Sequence, residues 1–378
     1  MRPAIDPTFG RRLRELRTRR RLSLRALGEL VSYSHTQIWA WETGMAEPGS
    51  KAAQRLDEVL GSNAELATLV AGNQVVLDLD GADRLDRVTR TPHLVDLPAV
   101  ESFGVILAHQ RRLEDRVGSA PLLVPVVGQL AVMESLMSEA RGVVRTPLAD
   151  TAAQWAQFAG WLYSSGGRYQ DAEHWLARAL DWATEADDRN MIATVLSFRG
   201  HVAYRLGHIG PTIGLSAAAQ RDPTVYVEQR AFSALQEARG HAMGGDRASA
   251  TEKLAQAADL VAAAGGSTEP IPAWSYYRSP GFFDLVSGLV YRYLGRDDPL
   301  ANARAGASFR AGRRALPEDM RESEWAGEFV YHLAAVHARS GDKASAAMAL
   351  EDARRIAAAT RSSRLHDQVE LLARRLGL

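Results

Sequence analysis

From Pro98 to the C-terminus the apolar residues recur at helical spacing, and no run sustains the strict alternation that a strand requires. The body of the chain is therefore all-α, and its helices must bury their apolar faces on one another. A pattern of small residues and glycine turns repeats within it. Gly160, Ala172 and Ala179 are followed or interrupted by the turn Gly167-Arg168-Tyr169. Related units are Gly200…Tyr204…Gly207, then Ala238…Gly245-Asp246-Arg247-Ala248 with Ala250, then Gly288…Tyr291…Gly295-Arg296-Asp297, then Ala334…Gly341-Asp342-Lys343-Ala344 with Ala346. Small residues let two helices approach closely, and glycine suits a tight turn between them.

The first unit runs Trp155-Ala156-Gln157-Phe158-Ala159-Gly160-Trp161-Leu162-Tyr163, then Gly167-Arg168-Tyr169-Gln170-Asp171-Ala172-Glu173, then Leu176 and Ala179-Leu180. It resembles a tetratricopeptide repeat. Successive turn glycines lie 38 to 50 residues apart, longer than the usual period of about 34, so the later units are degenerate. Val100–Gly142 reads as a preceding helix pair without the signature. The resemblance implies an α-solenoid with an inner groove. Groove positions carried over residue by residue are Gln157, Trp161 and Ser164, then Ser197, His201, Tyr204 and Arg205, then Phe232, Leu235 and Arg239, then Arg292 and Tyr293, then Glu328 and Tyr331. Aromatics with several arginines suit a short peptide with a free carboxylate. The competing role for Trp161, Phe232 and Leu235 is core packing between repeats. The loop Gly265–Gly281, with Pro270, Pro272 and Pro280 around Trp274-Ser275-Tyr276-Tyr277-Arg278, either covers a pocket or packs over the groove mouth, and packing is favoured.

The first 70 residues read as four short helices. Phe9–Arg20 carries Phe9, Leu13 and Leu16 on one face. Ser23 caps Leu24–Val31, Ser34 caps His35–Thr43, and Gly44 ends that helix. After the loop Ala46-Glu47-Pro48-Gly49, the helix Lys51–Leu60 is closed by Gly61. The run Leu22-Ser23-Leu24-Arg25-Ala26-Leu27-Gly28-Glu29-Leu30, then Tyr33-Ser34-His35-Thr36-Gln37-Ile38, then Trp41-Glu42-Thr43-Gly44 and Pro48, resembles the Cro-repressor or XRE class of helix-turn-helix, a lambda-repressor-like domain. The resemblance implies that the third helix enters the major groove of double-stranded DNA. Ser34, His35 and Thr36 would lead it, with Trp39 and Ala40 next, while Arg19, Arg25 and Lys51 would meet phosphates. It also implies a structural ion pair between Arg17 and Glu42, and a homodimer on paired half-sites about 34–36 Å apart. Three positions depart from the family. Ser32 stands at the usual turn glycine, and Leu24 stands where a phosphate-clamping glutamine is usual. Trp41 replaces a core aliphatic and is expected to pack inside. Trp39 faces outward, where a DNA contact and a dimer contact are both open.

Charge agrees with a head facing a polyanion. The chain is neutral overall, yet residues 1–60 carry eleven Lys/Arg against seven acids. Arginine outnumbers lysine so heavily that a single arginine means little. Cysteine is absent, which removes disulfides, thiol catalysis and Cys-ligated zinc. No apolar run is expected to reach the roughly 18 residues of a membrane span, and Met1–Gly10 has no apolar signal region, so the expected location is cytoplasmic. No HExxH pair, GxxxxGK loop or GxSxG elbow occurs. The expectation is a non-enzyme with no metal and no cofactor. Domain limits are expected at 1–72 for the DNA-binding head, 73–98 for a linker with one short helix, and 99–378 for the helical sensor and dimerisation region.

The combination resembles the peptide-pheromone-sensing regulators of Gram-positive bacteria. Those proteins hold peptide backbone with groove asparagines. The four asparagines here, Asn63, Asn73, Asn190 and Asn302, fall at none of the groove positions. Two roles stay open. One is a transcriptional regulator whose repeats bind a signalling peptide or small molecule. The other is a DNA-bound adaptor whose repeats only dimerise or recruit another protein.

Overall fold

Side-chain caps set the two short helices at the heart of the N-terminal unit. The Ser23 hydroxyl accepts the Ala26 amide at 3.0 Å, and the Ser34 hydroxyl accepts the Gln37 amide at 3.1 Å. The computed structural model describes residues 7–43, 48, 50–62, 66, 79–264 and 272–378. These fall into two units, divided at Leu79 and Asp80. Among the described residues no strand occurs.

The first unit holds α1 (Pro7–Arg19), α2 (Leu24–Val31), α3 (His35–Glu42) and α4 (Ser50–Leu60). Phe9, Leu13 and Leu16 from α1 meet Leu27, Val31, Ile38 and Leu56 in one core. Trp41 is 3% exposed and joins that core, edge-on to Tyr33 at 4.9 Å. The α2–α3 turn has Ser32 at φ 62° and ψ 39°, the left-handed conformation that glycine supplies in relatives of this turn. Gly44, the 46–49 loop apart from Pro48, and the start of the expected linker lie outside the described residues.

The second unit begins inside the stretch expected as a linker. Helix α5 (Leu79–Arg90) buries Val88 in the core of this unit, and Arg84 pairs with Asp96. Asp96 in turn caps α6 (Leu97–Val117), accepting the Ala99 amide at 3.0 Å. Next comes α7 (Leu123–Glu139). The segment Ala120–Glu139 is long and apolar enough to cross a membrane, contrary to the expectation from sequence. Its Val126, Leu130, Met133, Leu136 and Met137 face is buried in the core of the unit.

Five antiparallel helix hairpins follow. They are α8 (Arg145–Ser165) with α9 (Tyr169–Glu185), α10 (Arg189–Arg205) with α11 (Ile209–Ala218), α12 (Val227–Met243) with α13 (Arg247–Ala264), α14 (Pro280–Leu294) with α15 (Pro299–Ala315), and α16 (Glu324–Arg339) with α17 (Lys343–Ala359). Helix α18 (Ser363–Leu376) covers the last pair through Leu365, Val369 and Ala373. This is the tetratricopeptide-like solenoid. Its crossings use the small residues read from the sequence. A Cβ on Gly160 would come within 2.6 Å of Leu176, and one on Gly288 within 2.7 Å of Phe309. Four of the turn glycines, at 167, 207, 245 and 341, have positive φ. Gly295 does not; its φ is −78°. It is needed for space, because a Cβ there would sit 2.6 Å from the Asn302 amide nitrogen.

The last hairpin returns onto the first helices of the unit. The Ser119 amide donates to Glu324 Oε2 at 3.0 Å, and the Ser362 hydroxyl donates to Glu324 Oε1 at 2.6 Å. Arg364 donates to the Ser165 carbonyl, and Arg205 pairs with Glu328. Gly118 makes the approach possible: a Cβ on it would lie 2.2 Å from the Thr360 carbonyl oxygen. The last hairpin thereby bounds one more side of the inner groove expected from the repeats.

Candidate functional site

In the first unit the exposed side of α3 is the candidate nucleic-acid surface. Ser34, His35 and Thr36 are exposed, Trp39 is 42% exposed, and Ala40 is half-buried. Ile38, Trp41 and Glu42 form the buried side of the same helix. The Ser34 hydroxyl is committed to its cap. Arg19 and Arg25 are exposed, and Arg25 lies 3.4 Å from Glu29. The Lys51 side chain lies outside the described residues. Beneath this surface Arg17 grips Glu42 with two hydrogen bonds, of 2.5 and 2.9 Å, and also donates to the Leu22 carbonyl at 2.8 Å. Arg14 adds a third contact to Glu42 at 3.2 Å. The bond to Glu42 holds the Arg17 guanidinium above its ordinary range despite partial burial.

The second unit holds a partly open chamber of about 110 Å³. A single water needs only roughly 10–15 Å³ on this measure, so the space suits a ring system. Helices α6, α8, α10, α12, α14 and α16 form the walls, and the segment 272–278 contributes Trp274, Tyr276 and Tyr277. The lining is mainly aromatic. Trp161 meets Phe198 edge-on at 5.9 Å, and Phe232 packs against Phe282 at 5.3 Å. Pro270 and Ile271 of the proline-rich loop lie outside the described residues. The described part both packs and lines the chamber. Tyr276 donates to Asp115 Oδ2 at 2.7 Å, and Arg278 donates to the Tyr226 hydroxyl beneath Phe232 and Tyr277.

Two polar ends face each other across these rings. At one end Asp115 accepts from Tyr276 and, at 2.9 Å, from the Trp325 indole. Glu114 accepts from the Ser119 hydroxyl at 2.8 Å. Burial, with the Asp115 charge beside it, pushes the Glu114 carboxyl up to about 8. Burial also lowers Arg111 to about 10. Arg111 donates to the Gln157 side chain at 3.0 Å and to the Gln154 carbonyl at 2.9 Å. At the other end lie Arg239, His201, His332, Tyr204 and Glu328. Arg239 stands over the Tyr204 ring at 3.5 Å and donates to Gln236 at 2.8 Å. Burial holds His201 and His332 well below their ordinary value, helped by the surrounding arginines, so both rings are neutral near pH 7.

The expected groove residues divide into those on the wall and those behind it. Gln157, Trp161, His201, Tyr204, Phe232, Arg239 and Glu328 line the chamber. Ser164, Ser197 and Leu235 are buried behind the wall, with Ser197 accepting from Gln236 at 2.6 Å. Arg205 is buried in its pair with Glu328. Tyr293 reaches Tyr204 hydroxyl to hydroxyl at 3.4 Å, and Arg292 lies over the Tyr293 ring at 5.7 Å. Tyr331 packs on the C-terminal core instead. Two asparagines have structural roles. Asn190 accepts the Tyr226 amide, and Asn302 donates to the Val336 carbonyl.

Sequence reasoning missed Arg111, Glu114 and Asp115, which come from the helix without a repeat signature. It also missed Phe158, Phe198, Trp325, Phe329 and His332. A signal existed for the first group. Phe103, Leu107, Arg111 and Glu114 recur at helical spacing on one buried face, so two charges sit where apolar residues belong.

Residues 8–70 match the helix-turn-helix domain family, and with the geometry above they form an XRE-type helix-turn-helix. No curated protein matches the chain. Among solved structures, Bacillus thuringiensis PlcR in complex with the peptide PapR7 and DNA is similar at 12% identity, with a TM-score of 0.38, over 81% of this chain and 95% of that one.

Proposed function

We propose that this protein is a sequence-specific DNA-binding transcriptional regulator whose helical-repeat unit senses a small molecule. The DNA half of the reading rests on α3, where His35, Thr36 and Trp39 are exposed on a helix whose other side is buried. His35 can donate to a purine acceptor, and Thr36 can touch a thymine methyl. Arg19, Arg25 and Lys51 supply phosphate contacts, which add affinity without sequence readout. The protein acts as a homodimer, because one such head touches only a few base pairs.

The sensing half rests on one observation, the partly open aromatic chamber with polar groups at both ends. Its small volume favours a compact ligand over an extended peptide. It also weighs against a pure adaptor, which needs no interior space. Ligand binding then changes operator affinity through a coupling between the two sites.

Selection of duplexes from a random pool tests the DNA reading. His35→Ala with Thr36→Ala should cost on the order of 1–3 kcal/mol per lost base contact and leave folding intact. Unchanged operator affinity in that variant would show that another surface reads DNA. Native mass spectrometry of protein purified from its own host tests the sensor. A dimer carrying an extra non-covalent mass, lost in the Trp161→Ala, Arg239→Ala variant, supports it. A variant that loses a protein partner while keeping its inducer response, or bare dimers that respond to nothing, would favour the adaptor.

A further inference from the structure

The two polar ends of the chamber are not equivalent. At the acidic end Asp115 takes Tyr276 and Trp325, and Glu114 takes Ser119, while Nε of Arg111 beside them has no partner. The basic end holds more such groups. Arg239 is 2% exposed, its Nε has no partner, and no carboxylate contacts it among the described residues. Nδ1 of His332 is likewise buried and unpartnered, as are Nε of Arg205 and Nε of Arg292. Glu328 is the carboxylate at this end, and it is shared between Arg205 and Arg364. Two guanidinium groups therefore share one carboxylate, and Arg239 has none. A buried guanidinium with no counter-charge is costly to keep, and an incoming anion would relieve that cost.

Resting on the reading of the chamber as a sensor site, we propose that its ligand is a small, flat aromatic acid, with the acid group against Arg239 beside His201 and His332 and the ring among Trp161, Phe232 and Phe329. The rings supply faces and edges for stacking. The guanidinium supplies a charge-assisted, geometrically fixed contact for a carboxylate. A cation is disfavoured because the acids that would receive it already hold their donors.

The test is calorimetric titration of the full chain with three matched probes: 2-naphthoate, 2-naphthamide and 2-naphthylmethylamine. The acid should bind at least tenfold more tightly than the amide, the scale of one charge-assisted hydrogen bond. Arg239→Met should bring the acid down to the amide's affinity and leave the amide unchanged. Glu328→Gln removes the competing carboxylate and should tighten the acid, and it decides the matter if the arginine variant does not fold. Equal binding of acid and amide overturns the acid assignment while the chamber reading survives. Tightest binding of the amine overturns it in favour of the Glu114 end. A preference for the acid that persists in Arg239→Met, or an acid affinity that does not rise in Glu328→Gln, overturns the role of Arg239. Failure of all three probes to bind overturns the assignment and the chamber reading together.

Discussion

The indole of Trp325 donates to the carboxylate of Asp115 at 2.9 Å, across 210 positions of sequence. One residue begins the last helix hairpin and the other ends α6, so this bond ties the final repeat to the first helices of its unit. The same Asp115 holds Tyr276 from the proline-rich segment. Wall, end and cover of the chamber thus meet on a single carboxylate. Trp325→Phe keeps most of the apolar contact but withdraws a donor from a buried acid. It should lower the stability of the second unit by about 1–3 kcal/mol, read by urea unfolding, and weaken probe binding in the chamber. Wild-type stability would mean that the bond is incidental to closure.

Glu114 gives this closure a pH dependence. Its carboxyl is pushed up to about 8 by burial and by Asp115. Between its ordinary value and about 8 the folded protein keeps a proton that the unfolded chain has lost, so stability falls as pH rises. His201 and His332, lowered by burial, act in the opposite sense, and their contribution fades only about one pH unit above their ordinary value near 6.5. They act equally on wild type and Glu114→Gln, so the difference between the two proteins isolates Glu114. That difference should fall by up to roughly 1.4 kcal/mol per pH unit between pH 6.5 and 8. Denaturant unfolding of both proteins at pH 6.5 and 8 measures it. A slope that is the same in both assigns the dependence to another group.

The α2–α3 turn carries a removable strain. Ser32 is held in the left-handed region, where a side chain costs about 1–2 kcal/mol. Glycine avoids that cost but loses more entropy on folding. Ser32→Gly should therefore gain about 0.5–1 kcal/mol for the first unit. Scanning calorimetry should show its transition moving up, with that of the second unit unchanged. A downward shift would indicate that the serine side chain makes a compensating contact.

Glu42 is the opposite case, a charge whose removal strands its partners. Its side chain is 1% exposed and takes Arg17 and Arg14. Glu42→Ala should cost the first unit roughly 3 kcal/mol, because a partly buried guanidinium loses its counter-charge. Arg17→Met with Glu42→Leu should recover much of that loss. Equal stability of the single and double variants would show that the stranded guanidinium carries no penalty.

The fold class, the five hairpins and the helix-turn-helix were legible in the sequence because each rests on local signals. Ser23 and Ser34 are caps wherever they meet a helix start. Gly160 and Gly288 mark crossings, and the glycines at 167, 207, 245 and 341 mark turns. Trp41 could be assigned to the core because it stands where the resembling family places a core aliphatic. Those signals involve residues a few positions apart, so no tertiary information is needed to read them. Gly295 shows the limit: the residue type was right, but its purpose is contact with Asn302, which no spacing reveals. Closure of the solenoid belongs to the tertiary structure. Asp115 with Trp325, Gly118 with Thr360 and Arg205 with Glu328 are juxtaposed only once the superhelix has turned far enough for its ends to meet. Repeat periodicity fixes which face of each helix points inward. The accumulated rotation from hairpin to hairpin decides whether those faces line a long groove or draw together around a pocket, and that sum of small packing angles is written in no single residue.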